Sequence, residues 1–600
     1  MLLNFLTKPN LILFFLLPLI MISGSYFLNM QSFLIYGLLI PAFTFSLFSN
    51  PKLKVKFDLP LMLITLFAII FNFSFFLKTT PFGFKEFIAF NTFSLLFISF
   101  SQIKNFKISN NYSLNFLRIL SIIFIFIGFY QVEIIGLPRV APLFTGDYVF
   151  SNYPNAFANL MLFVIPYYLL QIKFFSKKFY FDKILISLNL VLFFMTWSRA
   201  AFVSFVIFLS LMFALSLIHK RIFVNLKKHL FFVIAILLFT FSFAYSLNKL
   251  SPYSYDIVDR VTSEDISSKE SLLNRFDFYS ASLSLIKERP IFGFGSGSFP
   301  YVYPKYQKEM LAGSDHPHNL FLKIMVENGL PAGLLFLFFI ISLWVKSILH
   351  FTKIKDSEKF TYFTLFSIFT SILVHNSLDY NLNFVAILFV FTLCAGLLNN
   401  FKIFHNDQLM NVDLESIFDK YNQKFKILIR YTSLIIVVVS LFQLIGYSSI
   451  KLAADKSIKP SVLTNLAPFK MQLAELVPSQ KYLNKYPYYW PVLMVNGEYS
   501  KAVELNPVNN LELYFQLYLN DFEKLQNDTV FISELLTKYL RKLKLNAHQT
   551  VVSDNPYYAI KLARLAGLSS LELELLDTYR EELNKFNLRF NLNYKLKSFL

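Results

Sequence analysis

The sequence is poor in cysteine and in charged residues. Only Cys394 is a cysteine, and it lies within an apolar run. A single cysteine excludes an intramolecular disulfide and any metal site built from several cysteines. Charged residues make up 16% of the 600 residues, whereas hydrophobic residues make up 55% and phenylalanine alone occurs 75 times. This balance excludes an ordinary soluble domain, in which about 25% of residues are charged, and indicates a polytopic membrane protein.

Long apolar runs follow one another from residue 11 to residue 446. A helix needs about 20 apolar residues to cross a membrane, so we predict an all-α polytopic membrane domain over 1–446 with about 12–13 transmembrane helices. The first run belongs to this series and lacks a small-residue cleavage site, so we do not interpret it as a removable signal peptide. The predicted spans are 11–29, 32–49, 59–77, 84–102, 114–131, 156–172, 182–197, 200–218, 229–247, 332–349, 360–376, 381–398 and 427–446.

The net charge of +19 is distributed unevenly between these runs. Lysine and arginine recur in alternate connections, for example in PKLKVKFD (51–58) and KFFSKKFYFDK (173–183), and the intervening connections contain fewer of them. This is the positive-inside pattern of membrane proteins. We therefore place the amino terminus and the basic connections in the cytoplasm, and interpret the excess charge as an orientation signal rather than as a nucleic-acid-binding surface.

On this count, three segments lie on the outer face: 132–155, a long loop at about 248–331, and the tail 447–600. The tail contains more charge, and its apolar residues recur at three- and four-residue spacing, which predicts a C-terminal α-helical domain. Its stretch YSKAVELNPVN (499–509) resembles the end of a tetratricopeptide repeat. A helical bundle without a peptide-binding role is an equal alternative. The outer placement of the tail depends on an odd number of spans.

The long loop ends in an unusual polar motif, HPHN. Pro317 suits the first position of a helix, where its missing N–H group costs nothing, and Gly329 suits a helix end. We therefore predict a short helix over 317–328, about 18 Å long and too short to span the membrane. His316 would then lie at the cap and His318 in the first turn. The alternative to a catalytic role is that both histidines merely cap an interfacial helix.

A second motif precedes it in the same loop, RFDFYSASLSLIKERPIFGFGSGSF. We predict an amphipathic helix over 275–288 that begins at Arg275 and ends before Pro290. Its apolar face would consist of Phe276, Tyr279, Leu283 and Ile286. The backbone N–H groups of Gly293, Gly295 and Gly297 could surround an anion, and a plain turn is the alternative. Because no strand precedes the glycines, the run does not support a nucleotide-binding fingerprint.

Further polar residues are predicted at the outer ends of spans. Arg199, in TWSRAAF, lies in a short outer connection, and an arginine at membrane depth is usually functional or paired. Arg139 could bind a ligand or be a surface charge, and Asp379 in HNSLDY could orient a histidine or pair with an arginine. The sequence contains no HExxH motif, no Walker motif and no glycosidase pair of carboxylates. Arginines with a histidine suit the binding of a diphosphate and the removal of a proton.

These motifs together resemble the O-antigen ligase and O-antigen polymerase superfamily. The loop motifs occur in the family's order, as do WSRAAF and HNSLDY. SNYPNAFANLMLF (151–163) is similar to the family's Asn-Pro-Asn segment, although Tyr153 here separates Asn152 from Pro154. The resemblance covers roughly 130–400.

The resemblance implies a glycosyltransferase at the outer face of a bacterial inner membrane. The donor would be a glycan linked to polyprenyl (undecaprenyl) diphosphate, transferred with inversion and without metal or cofactor. Arg199 and Arg275 match the family's essential arginines and would bind the diphosphate, with Arg139 as a further candidate. The essential base falls at His318, with His316 as the second choice. The supporting residues would be Asn319, Asp379, Gly293 and Gly295.

The acceptor stays open at this point. The superfamily transfers glycans to lipid A core, to a growing polysaccharide, or to protein serine or threonine, and the partners would otherwise be membrane lipids and not nucleic acid. A protein O-oligosaccharyltransferase is therefore one alternative. A polysaccharide transporter or lipid flippase is an alternative of a different class, although we find no internal repeat of the kind such proteins often carry.

Overall fold

We describe the fold from a computed structural model. It describes residues 35–50, 53–78, 83–102, 111–134, 139–141, 153–172, 180–218, 236–249, 266–307, 314–351, 353–400, 422–454, 478–545 and 554–590, apart from positions 54, 56, 315, 355, 479, 486, 487 and 509. The regular elements in these ranges are helices. The predicted all-α class of polytopic membrane protein is therefore confirmed.

The membrane-domain helices follow the predicted apolar runs. The first predicted span, 11–29, lies outside the described residues, and every later one coincides wholly or partly with a helix. The helices are α1 (Ile40–Phe48), α2 (Leu59–Leu77), α3 (Gly83–Gln102), α4 (Asn111–Glu133), α5 (Pro154–Ile172), α6 (Tyr180–Met195), α7 (Arg199–Ile218), the stretch 236–249, α8 (Ile266–Glu288), α9 (Phe299–Val302), α10 (Leu320–Phe351), α11 (Asp356–Leu378), α12 (Val385–Asn400) and α13 (Asn422–Ala454).

Four of the described segments are long and apolar enough to cross a membrane by themselves: Leu59–Leu77, Leu114–Glu133, Leu320–Phe351 and Asn422–Phe442. Four shorter apolar helices accompany them, at Gly37–Phe48, Pro154–Leu170, Arg199–Ala214 and Ala386–Asn400. The total of 12–13 spans stays a prediction, because the described residues do not cover the whole series.

Two ion pairs join neighbouring helices inside the described helical core. Lys323 and Glu86 are both buried, and their Nζ and Oε1 atoms lie 2.7 Å apart. Arg118 of α4 donates two hydrogen bonds, of 2.7 and 2.8 Å, to the buried Asp182 of α6. Tyr168 of α5 donates a third, of 2.6 Å, to the same carboxylate. Buried charges are tolerated only with such partners, so these contacts specify which helices are neighbours.

The short helix predicted at the end of the long loop begins later than predicted. It starts at Leu320 rather than at Pro317, and Gly329 ends it with φ of 87° and ψ of 167° before α10 continues. Asn319 is the cap, since its side-chain oxygen accepts a 3.0 Å hydrogen bond from the Leu322 amide. His318 has a φ of 52°, which is outside the helical range. The prediction that His318 lies in the first turn is therefore wrong, and the predicted end at Gly329 is right.

Helix α8 also differs from its prediction. It begins at Ile266, so that Arg275 lies within it, and it ends at Glu288. The predicted apolar face is wrong for Phe276 and Leu283, which are 69% and 54% exposed, and right for Ile286, which is buried. The buried face consists of Phe278, Ala281, Leu285 and Ile286, which pack against Phe299, Val302, Tyr303 and Val326, with Tyr279 partly buried beside them.

The described residues between 480 and 590 form a helical region, in which side chains from Leu511 to Leu583 build a separate hydrophobic core centred on Tyr514, Tyr518, Ile532, Tyr539 and Ile560. Its helices are α14 (Gln480–Lys485), α15 (Trp490–Val495), α16 (Tyr499–Leu505), α17 (Leu511–Asn520), α18 (Phe522–Asn527), α19 (Thr529–Leu545), α20 (Asn555–Leu565) and α21 (Ser569–Phe590).

This helical region contacts the long loop predicted at about 248–331 through aromatic side chains. The Arg289 guanidinium lies 4.3 Å from the Tyr488 ring centroid and 4.7 Å from that of Phe294. The rings of Tyr301 and Tyr489 meet edge to face, with centroids 4.3 Å apart. Cation–π and edge-to-face contacts of this kind are favourable. They attach the start of the C-terminal region to the loop that carries the histidines.

Candidate functional site

His318 lies where the end of the long loop meets the connection between α11 and α12. The cap residue Asn319 makes this junction, since its side-chain amide donates a 3.1 Å hydrogen bond to the carbonyl of Ser377. The hydroxyl of Tyr279 on α8 approaches the His318 carbonyl at 3.4 Å. The loop, α8 and the α11–α12 connection therefore meet at the histidine.

The imidazole of His318 is paired with a buried carboxylate. Its Nδ1 lies 3.1 Å from Oδ1 of Asp379, whose side chain is 2% exposed. The ring stacks on Phe278, with centroids 5.5 Å apart and planes 19° apart, and it meets the edge of Tyr380 at 5.0 Å. Its side chain remains 24% exposed. Within the described part of the chain, Nε2 has no hydrogen-bond partner, so this nitrogen can face a substrate.

Asp379 is held as an ionised carboxylate. Oδ1 also accepts a 2.9 Å hydrogen bond from the Tyr380 amide, and Oδ2 accepts one of 2.8 Å from the side chain of Asn155. Burial alone would raise the pKa of Asp379. The hydrogen bond and charge of His318, with the charges of His375 and Arg275, outweigh that effect and hold the pKa well below its usual value. The carboxylate therefore stays ionised as a hydrogen-bond acceptor for Nδ1.

A chain of hydrogen bonds extends from Asp379 to the first turn of α5 and to the residue that follows α6. Oδ1 of Asn155 accepts a 2.9 Å hydrogen bond from the guanidinium of Arg139. Nε of Arg139 in turn donates one of 2.7 Å to the carbonyl of Thr196. Our sequence analysis did not single out Asn155, although it is the last residue of the Asn-Pro-Asn-like segment. Its position in that motif was the available signal.

The two arginines predicted to bind a diphosphate occupy different settings. Arg275 is half-buried on α8, and its charge acts on Asp379, His375 and Tyr279. In the described ranges it forms no hydrogen bond or ion pair, so its guanidinium is available to a ligand. Arg199 is half-buried and is the first residue of α7, three positions after Thr196.

His316 has a different environment from His318. It is 3% exposed, and the side-chain nitrogen of Asn383 lies 2.6 Å from its Nε2. Its ring also packs on Tyr380, with centroids 4.5 Å apart. Because His316 is buried and its Nε2 is occupied by an amide, it is suited to holding the loop against the α11–α12 connection.

The glycine run forms a turn against the end of the short helix. All three glycines have positive φ. The amides of Phe294 and Gly295 donate hydrogen bonds of 3.0 and 2.8 Å to the carbonyls of Val326 and Glu327. A side chain at Gly293 would meet the backbone of Glu327 at 2.5 Å. This geometry favours the plain-turn alternative over an open anion site.

The family model described as O-antigen ligase matches residues 184–337. The match includes Arg199, Arg275 and both histidines of HPHN, whereas Arg139, Asn155 and Asp379 lie outside it. No curated protein matches the chain. The match confirms the predicted resemblance to the O-antigen ligase and polymerase superfamily over residues 184–337 of this polytopic membrane protein.

Proposed function

We propose that this protein transfers a glycan from a polyprenyl-diphosphate-linked donor to an acceptor hydroxyl at the outer face of a bacterial inner membrane. The observation that carries the proposal is the pairing of His318 Nδ1 with Asp379 at 3.1 Å, on a histidine whose side chain is 24% exposed. A histidine that donates Nδ1–H to a carboxylate presents a lone pair on Nε2. Such a nitrogen is suited to general-base chemistry near neutral pH.

In the proposed reaction, Nε2 of His318 accepts the proton of the acceptor hydroxyl. The hydroxyl oxygen attacks the anomeric carbon of the donor sugar as the bond from that carbon to the diphosphate oxygen breaks. The electron pair of the broken bond leaves with the lipid diphosphate, and attack from the opposite side inverts the anomeric centre. Asp379 keeps the imidazole in the required tautomer and stabilises the imidazolium that forms.

The arginines support the departure of the diphosphate. A guanidinium presents several N–H donors in a planar fork that matches phosphate oxygens. Arg275 has no protein partner for such bonds in the described ranges and lies close enough for its charge to act on Asp379. We assign Arg275 and Arg199 to the donor diphosphate.

The proposal predicts where the donor accumulates when the protein is missing. In a deletion strain, the polyprenyl-linked glycan should build up on the outer leaflet, since its export precedes the transfer. Leaflet-specific labelling of the lipid-linked glycan measures this. Accumulation on the inner leaflet would instead support a flippase.

The acceptor is identified in a separate experiment. Purified protein is incubated with the lipid-linked donor and with each candidate acceptor, namely lipid A core, a polysaccharide or a peptide, and the product formed shows which of them accepts the glycan.

We also propose that residues 480–590 lie on the same membrane face as His318. The Arg289–Tyr488 and Tyr301–Tyr489 contacts support this placement, because a hydrocarbon core of about 30 Å would separate residues on opposite faces. Single cysteines at Ser314 and at the exposed Gln526 should both react with an impermeant reagent that reaches only the outer face. Cys394 is buried and serves as background, and a cysteine at Lys353 is the cytoplasmic control. Labelling of the first two positions on opposite faces would contradict the shared placement.

A further inference from the structure

Asn155 connects Asp379 to Arg139 with little freedom in its orientation. An arginine side chain can only donate hydrogen bonds, so the amide oxygen of Asn155 must face Arg139. The amide nitrogen must then face the Asp379 carboxylate. The contacts agree with this orientation, since Asn155 accepts a 2.9 Å hydrogen bond from Arg139 and donates one of 2.8 Å to Asp379. Arg139 is itself oriented by its 2.7 Å bond to the Thr196 carbonyl.

This arrangement determines how the Asp379 carboxylate is rotated. Oδ1 binds His318 and the Tyr380 amide, and Oδ2 binds Asn155. With both oxygens engaged, the carboxylate cannot turn without breaking at least one hydrogen bond. In this chain of hydrogen bonds, only Asn155 separates the charge of Arg139 from the buried Asp379 carboxylate. Hydrogen bonds in such a chain strengthen one another.

We propose that Asn155 and Arg139 are positioning residues of the transfer reaction, which hold the Asp379 carboxylate, and through it the His318 imidazole, with Nε2 directed at the acceptor. The inference rests on the proposed role of His318. It assigns Arg139 to the support of the base rather than to the donor diphosphate, because two of its N–H groups are already bound to Asn155 and Thr196.

Removal of Asn155 should slow turnover without weakening donor binding. Asn155→Ala is expected to lower kcat by about 10- to 100-fold, the range known for hydrogen-bonded partners that orient metal-binding histidines, with the donor KM changed less than twofold. Asn155→Asp, of the same shape, should lower kcat as well. It should also change the pH at which kcat falls on the acidic side of its pH profile, because a second carboxylate would face Asp379. Turnover is normalised to folded protein measured by gel filtration in detergent.

A double-mutant cycle separates positioning from a purely structural role. If Asn155 acts through His318, Asn155→Ala should cause no further loss in a His318→Ala background. An equal loss in both backgrounds, or an unchanged pH profile in Asn155→Asp, would overturn the inference. If His318→Ala is itself fully active, the proposed function fails. If His318→Ala is inactive while Asn155→Ala turns over normally, only the positioning inference fails.

Arg139 supplies the second arm of the test. Arg139→Ala should reproduce the loss in kcat, and Arg139→Lys should recover part of it, since lysine can reach only one of the two acceptors at a time. The donor KM should stay within about twofold of wild type in both, because the retained arginines bind the diphosphate. A tenfold rise in donor KM with unchanged kcat would show that Arg139 binds the donor instead.

Discussion

His318→Ala is expected to reduce glycan transfer by about 10²- to 10⁴-fold, the usual contribution of a general base. The variant should fold and bind the donor, because the His318 side chain is partly exposed and the buried Asp379 carboxylate keeps its hydrogen bonds from Asn155 and the Tyr380 amide. The acceptor hydroxyl would then lose its proton to water instead of to Nε2. Transfer from a purified lipid-linked donor, normalised to folded protein, measures the loss.

His316→Ala is the matched control, since it lies two residues away in the same motif. His316 is buried against Asn383 and Tyr380. Its removal should lower the thermal stability of the protein and leave turnover per folded molecule near that of wild type. Near-normal turnover of His318→Ala would contradict the role of His318 as the base, and an inactive but folded His316→Ala would move that role two residues upstream.

Arg275→Ala is expected to have the second-largest effect, a loss of about 10- to 100-fold in kcat/KM for the donor. Hydrogen bonds to charged groups contribute about 1.5–3 kcal/mol each, and 1.4 kcal/mol corresponds to a factor of about ten. The loss should be large because the guanidinium has no competing hydrogen bond or ion pair among the described residues. Arg199→Ala should also lower kcat/KM for the donor, because we assign Arg199 to the same diphosphate.

Two further variants make this prediction specific. Arg275→Lys should recover only part of the activity, since an ammonium group lacks the planar fork of donors. Arg289→Ala removes an arginine from the same loop whose guanidinium is covered by Phe294 and Tyr488. It should leave the donor KM unchanged. Wild-type kinetics of Arg275→Lys would show that the fork is unimportant, and full activity of Arg275→Ala would exclude Arg275 from the site.

The positions of the membrane helices were predictable from the sequence. Helix α2 has the predicted bounds. The length of an apolar run can be read from consecutive residues, and a helix that crosses a membrane needs a run of minimum length. The end of the short helix was predictable as well. Gly329 adopts a positive φ, and a side chain there would meet the Ile291 carbonyl at 2.0 Å. Only glycine fits such a position.

The buried face of α8 was not predictable from local spacing. Phe276, Tyr279 and Leu283 recur at helical intervals, but so do Phe278, Ala281 and Leu285. The choice between the two sets is made by Phe299, Val302 and Tyr303, which pack on the second. The start of the short helix likewise depends on a distant contact, since Asn319 is bound to the carbonyl of Ser377.

The sequence alone predicted the fold class, the resemblance to the O-antigen ligase and polymerase superfamily and the candidate catalytic histidine, because those are carried by composition and by motifs of contiguous residues. Only the tertiary structure decided how the polar residues combine. His318 and Asp379 are 61 residues apart in the chain, and Asn155 and Asp379 are 224 apart. The role of Asn155 and the reassignment of Arg139 therefore come from helix packing, since hydrogen bonds depend on distances in space that no local pattern records.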